Sequence, residues 1–294
     1  MQQGETKIKD KIKALIALSR LSNLPTIWSN CLAGWLLGGA GNEGVLLNLC
    51  FGVSCIYIGA MFMNDLCDIK YDAQYRPERP LPAGVITEST AMSITIALFS
   101  IGLISISHIS HSVAFLSGVL VLLIFIYNYS HKKVAVSSII VGLCRLILYL
   151  LGASIAKDGF NGLVAWSGVV LCVYIWGISV IARFESKPEP GSDWAVIPLF
   201  CPIGLAMVVN YGENMTMALI CAFFVILWIF TSVHRLDFAN KQTVMRAVSR
   251  LLAGIVLVDL LAVIGISSEY GNYLIVFPAL FILTLILQKF VAPT

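Results

Sequence analysis

The chain has 294 residues, 59% of them hydrophobic and 12% charged, with a net charge of +3. A soluble domain carries about a quarter charged residues, and a globule of this length leaves a surface that so few water-tolerant side chains cannot cover. Mean hydropathy of +0.89 and repeated apolar runs near the ~20 residues that cross a hydrocarbon layer exclude secreted, disordered and nucleic-acid-binding classes.

Residues 1–13 form a basic segment with Lys7, Lys9, Lys11 and Lys13. It precedes an apolar stretch as a signal peptide does, but no small-residue cleavage site follows and the apolar run is too long, so it reads as the cytoplasmic lead into a retained helix. Apolar segments then follow at about 14–40, 45–66, 88–107, 112–129, 134–156, 162–182, 194–210, 215–233, 247–267 and 272–290. These predict nine or ten transmembrane helices, since a membrane barrel needs short alternating segments instead. No stretch is left for a soluble domain, so residues 1–294 are expected to form one polytopic domain of the cell membrane. Eight scattered cysteines include no CxxC pair, and read as buried thiols. Gly34 and Gly38 form a GxxxG pair suited to close helix contact.

Basic residues assign the sides. Arg20, Lys70, Arg76, Arg79, Lys132, Lys133, Arg183, Lys187, Arg235, Lys241, Arg246 and Arg250 fall on the side of the N-terminal lysines, whereas the opposite loops hold only Lys157. The positive-inside rule makes the first side cytoplasmic. Gly39 to Gly44 match GxGxxG but follow a membrane helix without a preceding strand, so the dinucleotide reading fails. His108 and His111 alone make no metal site.

The densest chemistry follows the 45–66 segment, at Asn64-Asp65-Leu66-Cys67-Asp68-Ile69-Lys70-Tyr71-Asp72. Spacings of i, i+3 and i+7 stack Asp65, Asp68 and Asp72 on one helical face, and Asn64 reaches that face through Asp68. Like charges crowded at a membrane helix end are costly unless a cation neutralises them. Hard oxygen donors suit Mg²⁺, which commonly joins a few carboxylates to substrate phosphates. A diphosphate site follows, at the cytoplasmic face. Pro77 ends the helix, leaving Arg76 and Arg79 on a stiff loop where guanidinium groups can clamp phosphate oxygens.

The string from Asn64 through Asp65, Asp68, Asp72, Arg76-Pro77, Arg79-Pro80-Leu81-Pro82 to Gly84 resembles the first aspartate-rich motif of the UbiA prenyltransferase superfamily. The resemblance implies a ring of nine transmembrane helices around a central cavity, with Mg²⁺ bridging a prenyl diphosphate to two acidic motifs. It also implies phosphate or substrate contacts from Tyr129 and Lys133, in Tyr129-Ser130-His131-Lys132-Lys133, and likens Gly142 to Gly152 to the family's small-residue helix. The second acidic motif departs from the pattern. Here the chain reads Arg183-Phe184-Glu185-Ser186-Lys187-Pro188-Glu189-Pro190-Gly191-Ser192-Asp193, an Arg-x-Glu variant similar to the EboC-like branch. Glu185, Glu189 and Asp193 are candidate metal ligands, but Pro188 and Pro190 preclude a regular helix joining them. Glu185 is a ligand, a positioning group or the ion-pair partner of Arg183, and Arg183 is itself a candidate for contacting substrate.

Arg145 lies within an apolar span, where an ionised group usually faces a cavity or a partner; it is either a substrate-binding residue or half of a pair with Asp259. Tyr127, Tyr129, Trp166, Tyr174 and Trp176 can line a cation-stabilising pocket or form interfacial belts. The expected function is intramembrane, Mg²⁺-dependent transfer of a prenyl group from a prenyl diphosphate to an aromatic or other electron-rich hydrophobic acceptor, with membrane lipid around it. Asp65, Asp68 and Lys133 would be catalytic. The alternative is a non-catalytic carrier or scaffold that holds a prenyl phosphate or related lipid.

Overall fold

The structure, a computed structural model, describes residues 2–130, 137–186, 193–210 and 214–292. Those residues are almost entirely helical, with one isolated bridge between Gly41 and Ala156. Seven helices are long and apolar enough to cross a membrane, and shorter apolar helices lie at Ser138–Ser154 and Trp194–Val209. The protein is a multi-pass membrane protein.

The apolar segment expected at 14–40 is not one helix. Helix α1, Gln2–Ser19, stops at Arg20, and α2, Leu24–Leu37, restarts after a short 3-10 turn at Leu21–Asn23. Arg20 holds φ 45° and ψ 46°, the left-handed region that costs an L-residue roughly 1–2 kcal/mol. Pro25 then sits in the first turn of α2, where its missing N–H and fixed φ are tolerated. The basic N-terminal segment is therefore the first part of α1, whose apolar Ala14 and Leu18 pack with Phe62, Leu81 and Ile86.

Helix α3, Glu43–Tyr75, runs for 33 residues, capped at its start by the Asn42 side chain. It continues well past the apolar segment, so the acidic run is an extension of a membrane helix. Helices α4, Glu88–Ser107, and α5, His111–Ser130, follow as a hairpin. Then come α6, Ser137–Ser154, and α7, Gly162–Ser186. The segment at 194–210 is a 3-10 helix through Pro198, Asp193–Phe200, continued by α8, Cys201–Val209. Helices α9, Met215–Val233, and α10, Lys241–Val263, precede two shorter pieces, α11, Ser267–Leu274, and α12, Val276–Phe290.

Helix α10 packs against α2, α7, α9 and α12, and α2 packs against α3, α6, α10 and α12. These two helices are buried along most of their length, while α4, α5, α9 and α12 present exposed Ile, Leu and Phe outward, as lipid-facing helices do. The tightest crossing is α2 on α6. A Cβ on Gly34 would lie 2.1 Å from the Tyr149 carbonyl oxygen, and one on Gly152 2.2 Å from that of Cys31. Both obstacles are backbone, so neither can swing aside. The GxxxG glycine at 34 thus serves a contact inside the bundle. Gly152→Val should push α6 off α2; overpacking typically costs about 1–3 kcal/mol, so we expect a clearly lowered Tm in detergent, whereas Gly204→Ala, where a Cβ meets open space, should leave it nearly unchanged.

Candidate functional site

The last turns of α3 carry the acidic run, and the loop that follows folds back over it. Arg76 caps the helix, its N–H donating to the Asp72 carbonyl at 2.7 Å. The loop is held by short backbone bonds, Arg79 N–H to Arg76 O and Ala83 N–H to Arg79 O, and turns at Gly84 with φ 70°. Three prolines at 77, 80 and 82 stiffen it. Arg79 consequently lies on the acidic face, where its Nη1 donates to Asp72 Oδ2 at 2.8 Å and to Asp65 Oδ1 at 3.2 Å. Asp65 is only 6% exposed. It also accepts from Arg20 Nη2 at 3.1 Å, and Asn64 Oδ1 accepts from the same nitrogen at 3.4 Å. Asp68 stands half-buried between Asp65 and Asp72. The negative end of the α3 dipole adds to these carboxylates, so the arginines offset a charge that the apolar surroundings would otherwise make costly.

Among the described residues no three His, Cys, Asp or Glu side chains converge as a metal cage. The donor chemistry still fits Mg²⁺, which usually binds through one or two carboxylates plus substrate phosphates and retains waters. Asp65 and Asp72, which share Arg79, and Asp68 between them in sequence supply hard oxygens of the kind that fits a metal arriving with its phosphates.

A cavity of about 230 Å³ between α2, α3, α5, α6 and α10 is lined by Arg20 and Asn64 of this network, with the three aspartates outside its lining. Its rim is polar. Asn64 Nδ2 donates to Asn128 Oδ1 at 3.0 Å, Asn128 Nδ2 to the Ile124 carbonyl at 2.9 Å, and Asn23 Nδ2 to the Tyr57 hydroxyl at 3.1 Å. Beyond the rim the α3 and α5 wall is aliphatic, with Val53, Ile56, Leu120 and Ile124.

The α2 and α6 wall carries Arg145, 9% exposed. The expected pair with Asp259 is indirect. Arg145 Nη1 donates to Asn30 Oδ1 at 2.9 Å, and Asn30 Nδ2 donates to Asp259 Oδ2 at 2.7 Å. Asp259, fully buried, also accepts from Ser29 Oγ at 2.5 Å and from the Tyr149 hydroxyl at 2.6 Å. This chain of bonds ties α2, α6 and α10 together in the middle of the bundle.

The structure therefore joins Asn64, Asp65, Asp72 and Arg79 in one network, with Asp68 on the same stretch of α3, and Asn64 of that network lines the cavity that Arg145 also lines. Glu185, at the end of α7, bonds Arg76 Nη2 at 3.3 Å, so the ion-pair partner is Arg76 where the sequence offered Arg183. That pair joins the loop after α3 to the second motif. Arg183 is exposed. Tyr129 is 78% exposed and lies off the cavity, which is lined by Tyr127 instead; helical geometry puts residues two apart on different faces. Lys133 and Glu189 lie outside the described residues, as does the side chain of Asp193, whose backbone opens the 3-10 helix before α8. Sequence reasoning passed over Arg20, Asn23, Tyr57 and Asn128. Arg20 had only been counted as a topology marker, although Asn23 and Pro25 close behind it are the ordinary signs of a helix break.

A model of the UbiA prenyltransferase family matches residues 23–188, more than half of the chain and the part that holds the cluster and the cavity. The chain belongs to the UbiA prenyltransferase family. Curated relatives include digeranylgeranylglyceryl phosphate synthases. That of Methanocaldococcus jannaschii is 24% identical over 60% of this chain and 62% of its own length, and that of Methanococcus aeolicus 26% over 69% and 70%. This chain thus spans less than two thirds of the length of the first of them, and a segment of 94 residues matches 34% of the Sulfolobus acidocaldarius relative. Among solved structures, a UbiA homolog from Aeropyrum pernix K1 superposes with a TM-score of 0.62 over 81% of this chain and 94% of its own at 15% identity. A structure described as digeranylgeranylglyceryl phosphate synthase in membranes gives 0.60 over 87% and 98% at 20%. These likenesses establish the UbiA fold.

Arg20 separates backbone from side chain in this UbiA site. Arg20→Gly relieves the left-handed backbone strain but removes a partner of the buried Asp65, a loss that costs more than the strain, so Tm should fall. It should also weaken binding of pyrophosphate with Mg²⁺ by about tenfold or more, since a hydrogen bond to a charged group contributes roughly 1.5–3 kcal/mol; calorimetry on the purified protein reads both.

Proposed function

We propose that this protein is an intramembrane prenyltransferase, moving a prenyl group from a prenyl diphosphate to a hydrophobic, electron-rich acceptor. The observation that carries the reading is the junction of two environments. A cluster of carboxylates and guanidinium groups adjoins, through Arg20 and Asn64, a largely apolar cavity. An ionic headgroup with a long isoprenoid tail needs both at once. The membership in a prenyltransferase family supports the same reading.

In this account Arg20, Arg76 and Arg79 hold the diphosphate oxygens, and Asp65, Asp68 and Asp72 hold the Mg²⁺ that accompanies them. A Mg²⁺ held by these carboxylates would supply charge neutralisation for a leaving diphosphate. The helices exclude water from the allylic cation that is left, which water would quench, and the acceptor attacks from the same cavity. Tyr57 and Tyr127 turn electron-rich rings toward this space, where they favour a cation. Glu185 acts by orienting Arg76. Lys133 is retained as a phosphate contact on the strength of the motif alone. The acceptor is aromatic or another electron-rich group; the name of the archaeal relatives, a glyceryl phosphate bearing two geranylgeranyl groups, extends that range to a lipid alcohol. The basic loops place the acidic end of the bundle at the cytoplasmic face.

Purified protein in nanodiscs with Mg²⁺ and labelled prenyl diphosphates should release diphosphate, with activity lost in Asp65→Ala and Asp68→Ala and kept in the exposed control Glu88→Ala. Tight binding without turnover at every chain length and acceptor tried would instead establish the carrier. Glu185→Gln should raise KM for the prenyl diphosphate several-fold while leaving the half-saturating Mg²⁺ concentration in place; a shift in the metal requirement would make Glu185 a ligand.

A further inference from the structure

Arg250, on α10, is a cation that the proposed function does not use. Its guanidinium is laid over the indole of Trp228 on α9, 4.4 Å from the ring centroid, a cation–π seat. Nε donates to Ser232 Oγ at 3.3 Å and Nη2 to Thr231 Oγ1 at 3.0 Å. Both hydroxyls spend their own protons on the Trp228 carbonyl, so they meet the arginine as acceptors. All of these partners are neutral. A guanidinium has five N–H donors in a planar fork, and only part of that fork is used here. Packing does not account for the charge. The Trp228 indole N–H already joins α9 to α10 through the Arg250 carbonyl at 2.8 Å, a bond that any residue at 250 would supply.

The neighbours of Arg250 carry the same sign. Arg246 lies one turn away on the same face of α10 by its i, i+4 spacing, Lys241 opens that helix, and Arg235 follows α9. The end of α12 is tied to this place by Gln288, whose amide donates to the Ser249 carbonyl at 2.9 Å, and it brings Lys289. The ion pairs among the described residues include none of these cations, and Asp237 is the one acid between residues 234 and 250. Lys241 stands at the positive end of the α10 dipole, which helix stability would disfavour. The positive-inside rule accounts for basic loops, but not for a guanidinium seated on an aromatic ring with its acceptors already aimed. Phe184 of α7 packs on Phe238 at 4.7 Å, which puts the patch at the same end of the bundle as the pair of Arg76 with Glu185. Arg250 and Trp228 are outside the lining of the central cavity. Beside them on α9 and α12, Leu227, Phe230, Ile286 and Phe290 are exposed, so the charge gives way to an apolar flank that faces lipid.

We propose that this patch binds the phosphate of an anionic phospholipid, with Arg250 and Arg246 on the phosphate oxygens and the acyl chains along the exposed faces of α9 and α12. Basic pockets between membrane helices suit such headgroups. A free phosphate shares the headgroup chemistry but has no use for the apolar flank. A zwitterionic lipid would bring a cation of its own into a patch that is already positive. The site stands apart from the prenyltransferase reading, and its occupant is a lipid of the surrounding leaflet.

Native mass spectrometry tests this on the full-length protein in detergent, titrated with phosphatidylglycerol or with phosphatidylcholine of the same acyl chains. The first phosphatidylglycerol should bind about fivefold or more tighter, the scale that one Lys or Arg beside an anionic headgroup contributes. Arg250→Met should abolish the preference, and Arg250→Lys should restore part of it. A phosphatidylglycerol with a photoreactive headgroup should label residues 228–250 or 287–290 of the unsubstituted protein, which decides the matter even where Arg250→Met fails to fold. Free glycerol phosphate in excess should leave the lipid bound. Equal binding of the two lipids, a preference that survives in folded Arg250→Met, labelling confined to other helices, or displacement of the lipid by glycerol phosphate would each overturn the proposal.

Discussion

Everything at the mouth of this bundle is governed by the cost of holding carboxylates beside hydrocarbon. Asp65 and Asp72 are buried at the negative end of a long helix dipole, and an unpaired carboxylate there would be costly. Two arginines from different parts of the chain offset that cost, Arg20 from the α1–α2 break on Asp65 and Arg79 from the loop after α3 on Asp65 and Asp72, while Arg76 of the same loop pairs with Glu185. The same arginines are the natural contacts for phosphate oxygens. In the proposed function, charge balance in the resting protein and recognition of a diphosphate are one arrangement, in which an incoming anion and its metal would exchange partners with groups already in place.

That arrangement depends on departures from regular helix. Were α1 and α2 continuous, the Arg20 side chain would follow helical geometry and leave Asp65 with Arg79 alone. The left-handed residue redirects the chain and aims the guanidinium at α3. Backbone strain of this kind persists only where the surroundings over-determine it, and here the surroundings are two hydrogen bonds to Asn64 and Asp65 and the apolar seat of α1 on α3.

The sequence made the membrane class, most helix positions and the acidic face legible, because each rests on local spacing. Asp65, Asp68 and Asp72 lie on one stretch of α3 as their spacing requires, and the Arg-Pro run ends that helix at Arg76. Partners distant in sequence were harder to read. Nothing local distinguishes Arg183 from Arg76 as the companion of Glu185, 109 residues away from the latter. Arg145 and Asp259 were recognisable as an unusual pair of ionisable groups inside apolar spans, but Asn30, the amide between them, is an unremarked polar residue until α2, α6 and α10 are brought together. Tyr129 is the reverse case: a motif likeness carried it toward the site, and the structure leaves it exposed on α5, outside the cavity lining.

The polar tie at the centre also has a consequence for biogenesis. Ser29 and Asn30 lie on α2, whereas the carboxylate that receives them is 230 and 229 residues further along. During synthesis these side chains, and Arg145 after them, must wait in lipid or at its surface until the segment bearing Asp259 is inserted, because polar groups inside hydrocarbon demand partners. The late helix acts as a keystone, and a ribosome that stops short of it would leave an open assembly whose exposed polar interior marks it for quality control.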